Sequence, residues 1–221
     1  MTRSTTPPPS RLRPRPRRTA RLVAAAALAL TAGGGLAACG SGSSGTEAKA
    51  PDVTVRNTAT TRARQQVGPL KAAEPTRVVI PSAGVDAGPV LRLGLDGKQE
   101  LEVPPVDKAE LAGWYTGSVT PGETGASVIV AHYDTAEGPA LLRDVKKMHV
   151  GDVIRIGRAD HSTAVFAIRE TQQVDKTDFP TNKVYGKTDR PELRLITCGG
   201  PIKNGHRSAN IIFYADLVKV E

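Results

Sequence analysis

Short apolar runs, set off by proline and glycine, dominate residues 76–221 and predict a chain built mainly of β-strands. The runs are rich in Val, Ile and Leu, and most are too short for a helix. Two stretches, residues 140–147 and 181–185, are typical of short helices. Eight or so short strands at such close spacing predict a closed β-barrel or a sandwich. The predicted strands lie at residues 77–81, 90–93, 101–103, 127–132, 152–156, 163–169, 193–198 and 210–214.

The first 75 residues follow a different pattern. A basic, proline-rich start leads into the apolar run at residues 22–30, which is shorter than the about 20 residues of a membrane span. Small residues follow this run, so the pattern predicts a secretory signal peptide over residues 1–38. Residues 39–75 are rich in Ser, Thr, Ala, Gly and charge, with little apolar periodicity. They predict a flexible tether to one folded domain over residues 76–221.

Cys39 directly follows the Leu-Ala-Ala of residues 36–38. This resembles a bacterial lipobox, in which the signal is cleaved before the cysteine and its thiol receives lipid. The alternative is an ordinary signal peptide, or a weak uncleaved anchor, with an incidental cysteine. We expect lipidation at Cys39, which would hold the protein on the outer face of the cell membrane.

The positive charge of the chain belongs to its predicted signal peptide. The chain carries 30 basic and 22 acidic residues, and seven of the arginines, with no acidic residue, lie within residues 1–38. The remainder then has 23 basic against 22 acidic residues, so we expect no nucleic-acid partner. No Cys and His spacing suits zinc and no phosphate loop is present in the sequence, so we expect neither metal nor cofactor.

Cys198 and His132 are the candidate chemical groups. If Cys39 is lipidated, Cys198 is a single free thiol in an exported protein, which suggests a nucleophile; a disulfide with Cys39 is the alternative. Cys198 closes an apolar run and precedes two glycines, which leave room for a substrate backbone. A thiol reacts as its thiolate and needs a nearby base or cation. Because His132 closes another apolar run, and strand ends meet at one rim of a barrel, we expect it to serve as the acid/base.

These residues lie in segments that resemble the sortase family. Residues 192–200 are similar to the sortase signature Thr-Leu-x-Thr-Cys: Leu195, Thr197 and Cys198 match it, and Arg194 replaces the first threonine. Residues 130–134 resemble the histidine segment of the family. The resemblance covers about residues 76–218. Further stretches, in the family's order, resemble class F sortases of actinobacterial type at residues 80–86, 101–105, 112–115, 121–125 and 179–180.

The resemblance implies an eight-stranded β-barrel with a Cys-His-Arg site. Such an enzyme attacks an LPxTG-like, C-terminal sorting signal of a surface protein and forms a thioacyl enzyme. It then transfers the acyl group to an amine of a cell-wall precursor, and a cation or backbone donors stabilise the oxyanion. We expect Thr197 and Arg194, on the strand of the nucleophile, to contact the substrate.

The arginine of this site is ambiguous in the sequence. Class F sequences place it in a Tyr-Arg-Asp-Asn-like run, whereas alignment on Asn210 puts Ser208 at that position and Arg207 one residue earlier. One step along a regular strand turns a side chain to the other face, although a bulge or the long side chain can compensate. We predict Arg207. Arg194, on the same face of its strand as Cys198, is the alternative, and Arg207 as a merely solvated charge is a third interpretation.

Two other functions fit part of the pattern. The L,D-transpeptidases are also exported and also place His before Cys, but their cysteine lies in a Ser/Thr-His-Gly-Cys context, unlike Cys198. A catalytically degenerate sortase-like lipoprotein would only bind cell-wall peptides, and the shifted position of Arg207 favours it. The reactivity of the Cys198 thiol distinguishes that alternative from an enzyme.

Overall fold

The computed structural model describes residues 67–203 and 205–221, and most of these residues lie in β-strands. One α-helix, α1 (Thr181–Tyr185), and four short 3-10 helices accompany the strands. The strands are β1 (Pro75–Ile80), β2 (Val85–Ala87), β3 (Leu91–Leu93), β4 (Gly113–Tyr115), β5 (Gly125–Val130), β6 (Asp134–Thr135), β7 (Gly138–Pro139), β8 (Val153–Arg158), β9 (Thr163–Asp175), β10 (Pro191–Lys203) and β11 (His206–Val220).

Nine of the strands form one sheet in the order β2-β1-β8-β9-β11-β10-β5-β4-β3, while β6 and β7 form a separate hairpin. The pairs β10–β5 and β3–β4 are parallel, and the other pairs are antiparallel. The long β10–β11 hairpin lies in the middle of the sheet, with β5 beside β10. This arrangement brings two sequence-distant segments, 125–130 and 191–203, to lie side by side.

Alternating side chains along the strands create two apolar layers on the two faces of the sheet. The interior cluster fills the curled sheet and draws residues from strands on both sides of it. Its members include Val78, Phe166, Leu195 and Phe213, each no more than 1% exposed. Complete burial of one such side chain contributes about 1.5–3 kcal/mol, so this layer accounts for the curling of the sheet.

The outer cluster lies on the opposite face of β5, β10 and β11, where α1 covers it with the fully buried Val184. Five partly buried apolar residues extend it towards solvent: Leu91, Leu101, Tyr115, Val174 and Phe179. Its buried members are Leu93, Val128, Val130, Val184, Ile196, Ile212 and Tyr214.

The prediction of a mainly β fold with one or two short helices is confirmed. The helix predicted at residues 181–185 matches α1, whereas residues 140–147 contain only the 3-10 helix Val145–Lys147. The sheet has nine strands rather than eight, and within the described residues its edge strands β2 and β3 do not pair with each other. The sheet is therefore curled but not closed by a ladder.

The strand predicted at residues 101–103 is wrong. Leu101 makes a single bridge with Leu95, and a turn centred on Asp96 joins the two residues. The Asp96 carboxylate accepts hydrogen bonds from the backbone N–H groups of Lys98 and Glu100. Pro104 and Pro105 follow without N–H donors, so the ladder cannot continue.

Residues 67–74 pack along the sheet ahead of β1. The backbone N–H of Leu70 donates to the carbonyl of Gly122 at 2.8 Å, and that of Ala73 donates to Thr120 Oγ1 at 3.0 Å. The buried Arg158 donates to the carbonyl of Lys71. The predicted signal peptide, the lipidation site Cys39 and most of the predicted tether lie outside the described residues. Within the described part, no helix has the length and apolar character needed to cross a membrane.

Candidate active site

The parallel pairing of β5 with β10 brings His132 and Cys198 to the same place. Val130 is in register with Ile196, and the N–H of Ala131 donates to the carbonyl of Ile196 at 3.1 Å. His132 and Cys198 each lie two residues beyond that register pair. Since parallel neighbours lie about 4.8 Å apart and side chains alternate, both follow on the outer face, next to the outer cluster.

Cys198 lies within β10, not at the end of a strand as the sequence analysis predicted. It is a free thiol of intermediate exposure, in register with Asn210 of β11. The ladder breaks immediately after it: Gly199 pairs with Ala209, and the next pair is Ile202 with Arg207. The thiol therefore borders the one irregular point in the β10–β11 pairing.

This irregularity is a β-bulge, in which Gly200 and Pro201 on β10 oppose the single residue Ser208 on β11. Gly200 has a φ angle of +72°, which L side chains rarely adopt, and a Cβ there would lie 2.9 Å from both Ala209 Cβ and Ser208 Oγ. The glycine after the nucleophile thus permits the bulge as well as a close approach by substrate.

His132 is held by the segment between β3 and β4. Its Nε2 lies 2.6 Å from the carbonyl oxygen of Pro104. Because a carbonyl only accepts, Nε2 carries the proton in this contact and Nδ1 remains available as the acceptor of the neutral ring. The carbonyl of His132 in turn accepts from the N–H of Leu142 at 2.8 Å, which fixes the backbone of the histidine.

Arg207 lies beside the bulge, and its guanidinium contacts Gly200 there. Its Nε and Nη2 donate to Asp134 Oδ2 at 3.0 and 2.5 Å, and its Nη1 donates to the carbonyl of Gly200 at 2.8 Å. The guanidinium carbon lies 4.8 Å from the centroid of the Tyr133 ring. Hydrogen bonding to Asp134 holds the pKa of Arg207 above its ordinary value, against the opposing effect of partial burial.

Arg194, the alternative arginine, is directed away from the thiol. It is 2% exposed, and its Nη2 lies 2.6 Å from Oε2 of Glu192. Its guanidinium carbon lies 4.9 Å from the Tyr214 ring centroid. Four residues of strand separate its Cα from that of Cys198 by about 13 Å. Glu192 lies further from the thiol along β10, and Tyr214 lies beside Arg194 as its register partner on β11. The structure does not bring Arg194 into the site, for catalysis or for substrate contact.

Thr197 is also unsuited to direct substrate contact. It is 2% exposed and in register with Ile211, a member of the interior cluster, so it lies on the opposite face from Cys198. Its Oγ1 has no hydrogen-bond partner in the described residues. The other histidines, His149, His161 and His206, are exposed.

Two contributors to the site have weak sequence signals. The sequence gives no sign of the Pro104 carbonyl, because a backbone acceptor has no residue-type signature. Asp134, two residues after His132, is visible in the sequence as a group that orients the histidine or caps a turn. In the structure its carboxylate instead accepts hydrogen bonds from Arg207 and from no other described residue.

An open cavity of about 670 Å³ adjoins this region. Its walls include Leu91 and Leu93 of β3. They also include Val103 and Pro105, which flank Pro104, the residue that contacts His132. Leu101 belongs both to the cavity wall and to the apolar surround of the outer cluster. The cavity is also lined by five charged residues: Arg92, Asp96, Glu100, Glu102 and Lys108.

A family model described as Sortase domain matches residues 78–218, which include Cys198, His132 and Arg207. No curated protein matches the chain in sequence.

Among solved structures, the chain is similar to sortases of three bacteria. For sortase C of Streptococcus pneumoniae the identity is 21%, with 65% of each chain covered and a TM-score of 0.48. For sortase C of Clostridium perfringens the values are 18% identity, 66% of this chain, 70% of that chain and 0.48. Sortase A of Listeria monocytogenes is 20% identical, with 68% of this chain and 90% of that chain covered and a TM-score of 0.48. The chain thus spans 65% of the length of the pneumococcal protein.

Proposed function

Because the chain belongs to the sortase family, we propose that it is a cysteine transpeptidase of the class F, actinobacterial type, with Cys198 as nucleophile, His132 as acid/base and Arg207 as oxyanion donor. One observation carries the proposal: the Val130–Ile196 register places His132 and Cys198, each two residues further on, at the same level of two neighbouring strands. The bulge after Cys198 adds the guanidinium of Arg207 to the same region.

The first half-reaction forms a thioacyl enzyme. The Cys198 thiolate attacks the carbonyl carbon of the scissile peptide bond, a C–S bond forms, and the carbonyl electron pair moves to oxygen. Arg207 stabilises this oxyanion. When the oxyanion collapses, the C–N bond breaks and protonated His132 gives its proton to the leaving amine.

The second half-reaction runs in the opposite sense. An acceptor amine attacks the thioester carbon and His132 takes the proton that the amine loses. The C–S bond then breaks and Cys198 leaves as thiolate, so the peptide bond is exchanged without net oxidation or reduction. Division of the exchange into two steps is the advantage of a covalent intermediate.

The proposed donor substrate is the C-terminal, LPxTG-like sorting signal of a surface protein, and the proposed acceptor is an amine of a cell-wall precursor. The cavity beside β3 supports an extended peptide with both apolar and charged side chains, because Leu91, Leu101 and Val103 line it together with five charged residues. The resemblance of the chain to sortases in residues 192–200 supports the same substrate class.

Transfer assays on the purified protein test this function. We expect the protein to exchange the C-terminal part of an LPxTG-type peptide for an added amine, as measured by mass spectrometry of the products. Cys198→Ala forbids the thioester and His132→Ala removes the proton donor, so both variants should lose transfer while circular dichroism shows a folded domain. Transfer by the Cys198→Ala protein would exclude Cys198 as the nucleophile.

The same assay separates an enzyme from a degenerate, peptide-binding lipoprotein. A degenerate site would bind the peptide without turnover, and iodoacetamide would alkylate Cys198 no faster than it alkylates a free model thiol. The hydrogen bond between His132 and Pro104 does not favour this alternative, because it leaves Nδ1 free.

The proposed location is the extracytoplasmic face of the cell membrane, with a lipid anchor on Cys39. The Leu-Ala-Ala at residues 36–38 before the cysteine supports it. Metabolic labelling with a fatty-acid probe should mark the wild-type protein, and Cys39→Ala should remove the label and leave unprocessed precursor. Label retained in Cys39→Ala, or a mature N-terminus elsewhere, would disprove the anchor.

A further inference from the structure

The Arg207 guanidinium is held on three sides, by Asp134 and Tyr133 from outside the β10–β11 hairpin and by Gly200 from the paired strand β10. The Asp134 carboxylate accepts from Nε and Nη2, the Gly200 carbonyl accepts from Nη1, and the Tyr133 ring lies against the guanidinium. Arg207 and Asp134 side chains are 19% and 24% exposed. A partly desolvated, two-nitrogen contact of this kind fixes the plane of a guanidinium as well as its position.

Asp134 is itself fixed in place. It pairs with Pro139 in the β6–β7 hairpin, and the carbonyl of Tyr133 accepts from the N–H of Ala140 at 3.0 Å. Its carboxylate accepts from no described residue other than Arg207. The backbone that carries His132 therefore also carries the group that anchors Arg207, two residues further on.

The clamp leaves part of the guanidinium available. Arginine has five N–H donors, and Arg207 uses one on each of its three nitrogens within the described residues. Two N–H groups remain, one on Nη1 and one on Nη2. The Gly200 carbonyl that receives Nη1 belongs to the second residue after Cys198, so the guanidinium contacts the segment of β10 that carries the nucleophile.

The geometry of the strand does not by itself direct the Arg207 side chain to this position. Ala209 and Ile211 belong to the interior face of β11, and by regular alternation residue 207 would share that face. The extra residue of the bulge lies on β10 and not on β11, so the direction of the Arg207 guanidinium is set by its contacts with Asp134, Tyr133 and the Gly200 carbonyl.

We propose that Asp134 is a positioning residue, which acts through Arg207 by holding the guanidinium with its two remaining N–H groups towards the acyl carbonyl oxygen on Cys198. Asp134 takes no proton and forms no bond to the substrate. This role rests on the proposed transpeptidase function, since it concerns the oxyanion of that reaction.

A double-mutant cycle on the purified full-length protein tests the role. The variants are Asp134→Asn, Arg207→Ala and the combination, with kcat and KM measured for transfer from an LPxTG-type peptide. We expect Asp134→Asn to lower kcat by about 10- to 100-fold, less than the about 10²–10³ for loss of the oxyanion donor itself, with little change in KM. In the Arg207→Ala protein, the substitution Asp134→Asn should lower kcat no further.

Two further variants control for stability and charge. Asp86→Asn removes a carboxylate from an exposed pair with Arg77, whose Nε–Oδ1 distance is 2.6 Å, and should leave kcat unchanged. Asp134→Glu keeps the charge but displaces it by one methylene, so its kcat should fall between those of wild type and Asp134→Asn. Thermal unfolding of each variant shows whether it is folded at the assay temperature.

An unchanged or raised kcat in folded Asp134→Asn would overturn the proposal, as would an equal loss in the presence and absence of Arg207. If Asp134→Asn does not fold, Asp134→Glu decides, and wild-type kcat in that variant also overturns it. These results all require an active wild type. An inactive wild-type protein contradicts the proposed function instead, so the two failures are distinguishable.

Discussion

Two arginine–carboxylate clusters lie on the β10–β11 hairpin, one on either side of the candidate nucleophile along the sheet. In the first, Arg194 and Glu192 are 2% and 3% exposed. In the second, Arg207 and Asp134 are 19% and 24% exposed. Both clusters stack an arginine against a tyrosine, Tyr214 or Tyr133. Each arginine has a partner on all three of its guanidinium nitrogens, so the two clusters share the same chemistry and differ in burial.

The buried cluster is organised around Glu192. Its carboxylate receives Arg169, Arg190 and Arg194 at 2.8, 2.9 and 2.6 Å. Burial alone would raise the pKa of Glu192, but hydrogen bonds and charges from Arg169 and Arg194 outweigh it, and the pKa is lowered. A buried carboxylate stays ionised only with such partners. The comparison teaches that burial commits an arginine to the fold, whereas partial exposure leaves it available for chemistry.

Arg194→Ala should have the largest effect on stability. It removes one of the three arginines that surround the buried Glu192 carboxylate; because Arg169 and Arg190 remain, the loss should stay below the about 3–5 kcal/mol of a buried charge left without any partner. Urea denaturation should show this loss, while kcat per folded molecule stays near the wild-type value. A stable but inactive Arg194→Ala protein would contradict this assignment and place the functional arginine in the buried cluster.

Arg207→Ala should show the opposite behaviour. Loss of one oxyanion donor should lower kcat and kcat/KM together by about 10²–10³. Its partly exposed ion pair contributes only about 0–1 kcal/mol to unfolding. Arg207→Lys should recover little activity, since an ammonium cannot reproduce the two-nitrogen contact with Asp134. Steady-state kinetics checks this, and wild-type kcat in Arg207→Ala would leave the oxyanion to backbone donors.

Acid should affect the buried cluster through Glu192. Because the pKa of Glu192 is lowered in the folded protein, its contribution to stability is complete above the ordinary value of 4.5 and is lost as pH falls through the lowered pKa. The free energy of unfolding should therefore fall in acid more steeply for wild type than for Glu192→Gln. Glu110→Gln, from the exposed pair with Arg143, should keep the wild-type slope. Equal slopes for wild type and Glu192→Gln would contradict this.

The sequence predicts the strands of the fold well where an apolar run is continuous. Residues 127–130, 163–169 and 193–198 all lie in strands of the structure. The lengths of β9, β10 and β11 are not predictable in this way, because their polar ends are held by pairing with each other rather than by burial. The strands β2 and β4 are too short to show the alternation of apolar and polar residues, and glycine lies within or next to each of them.

The residues of the candidate site also differ in how well the sequence predicts them. Cys198 and His132 stand out because their residue types are chemically distinctive and each follows a buried run. The choice between Arg207 and Arg194 depends on a bulge, and a bulge depends on tertiary pairing that alternation cannot reveal. The Pro104 carbonyl and the pairing of Asp134 with Arg207 belong to contacts between distant segments, which no local pattern encodes.

The central claim is that Cys198 attacks a sorting peptide and carries the acyl group, and trapping of the thioacyl enzyme tests it most directly. The protein is mixed with an LPxTG-type peptide without an acceptor amine, quenched in acid and measured by intact mass spectrometry. We expect a mass increase equal to the acyl part of the peptide, located on Cys198, lost on treatment with hydroxylamine and absent from Cys198→Ala. No adduct on the wild-type protein, or an adduct that persists in Cys198→Ala, would contradict the account.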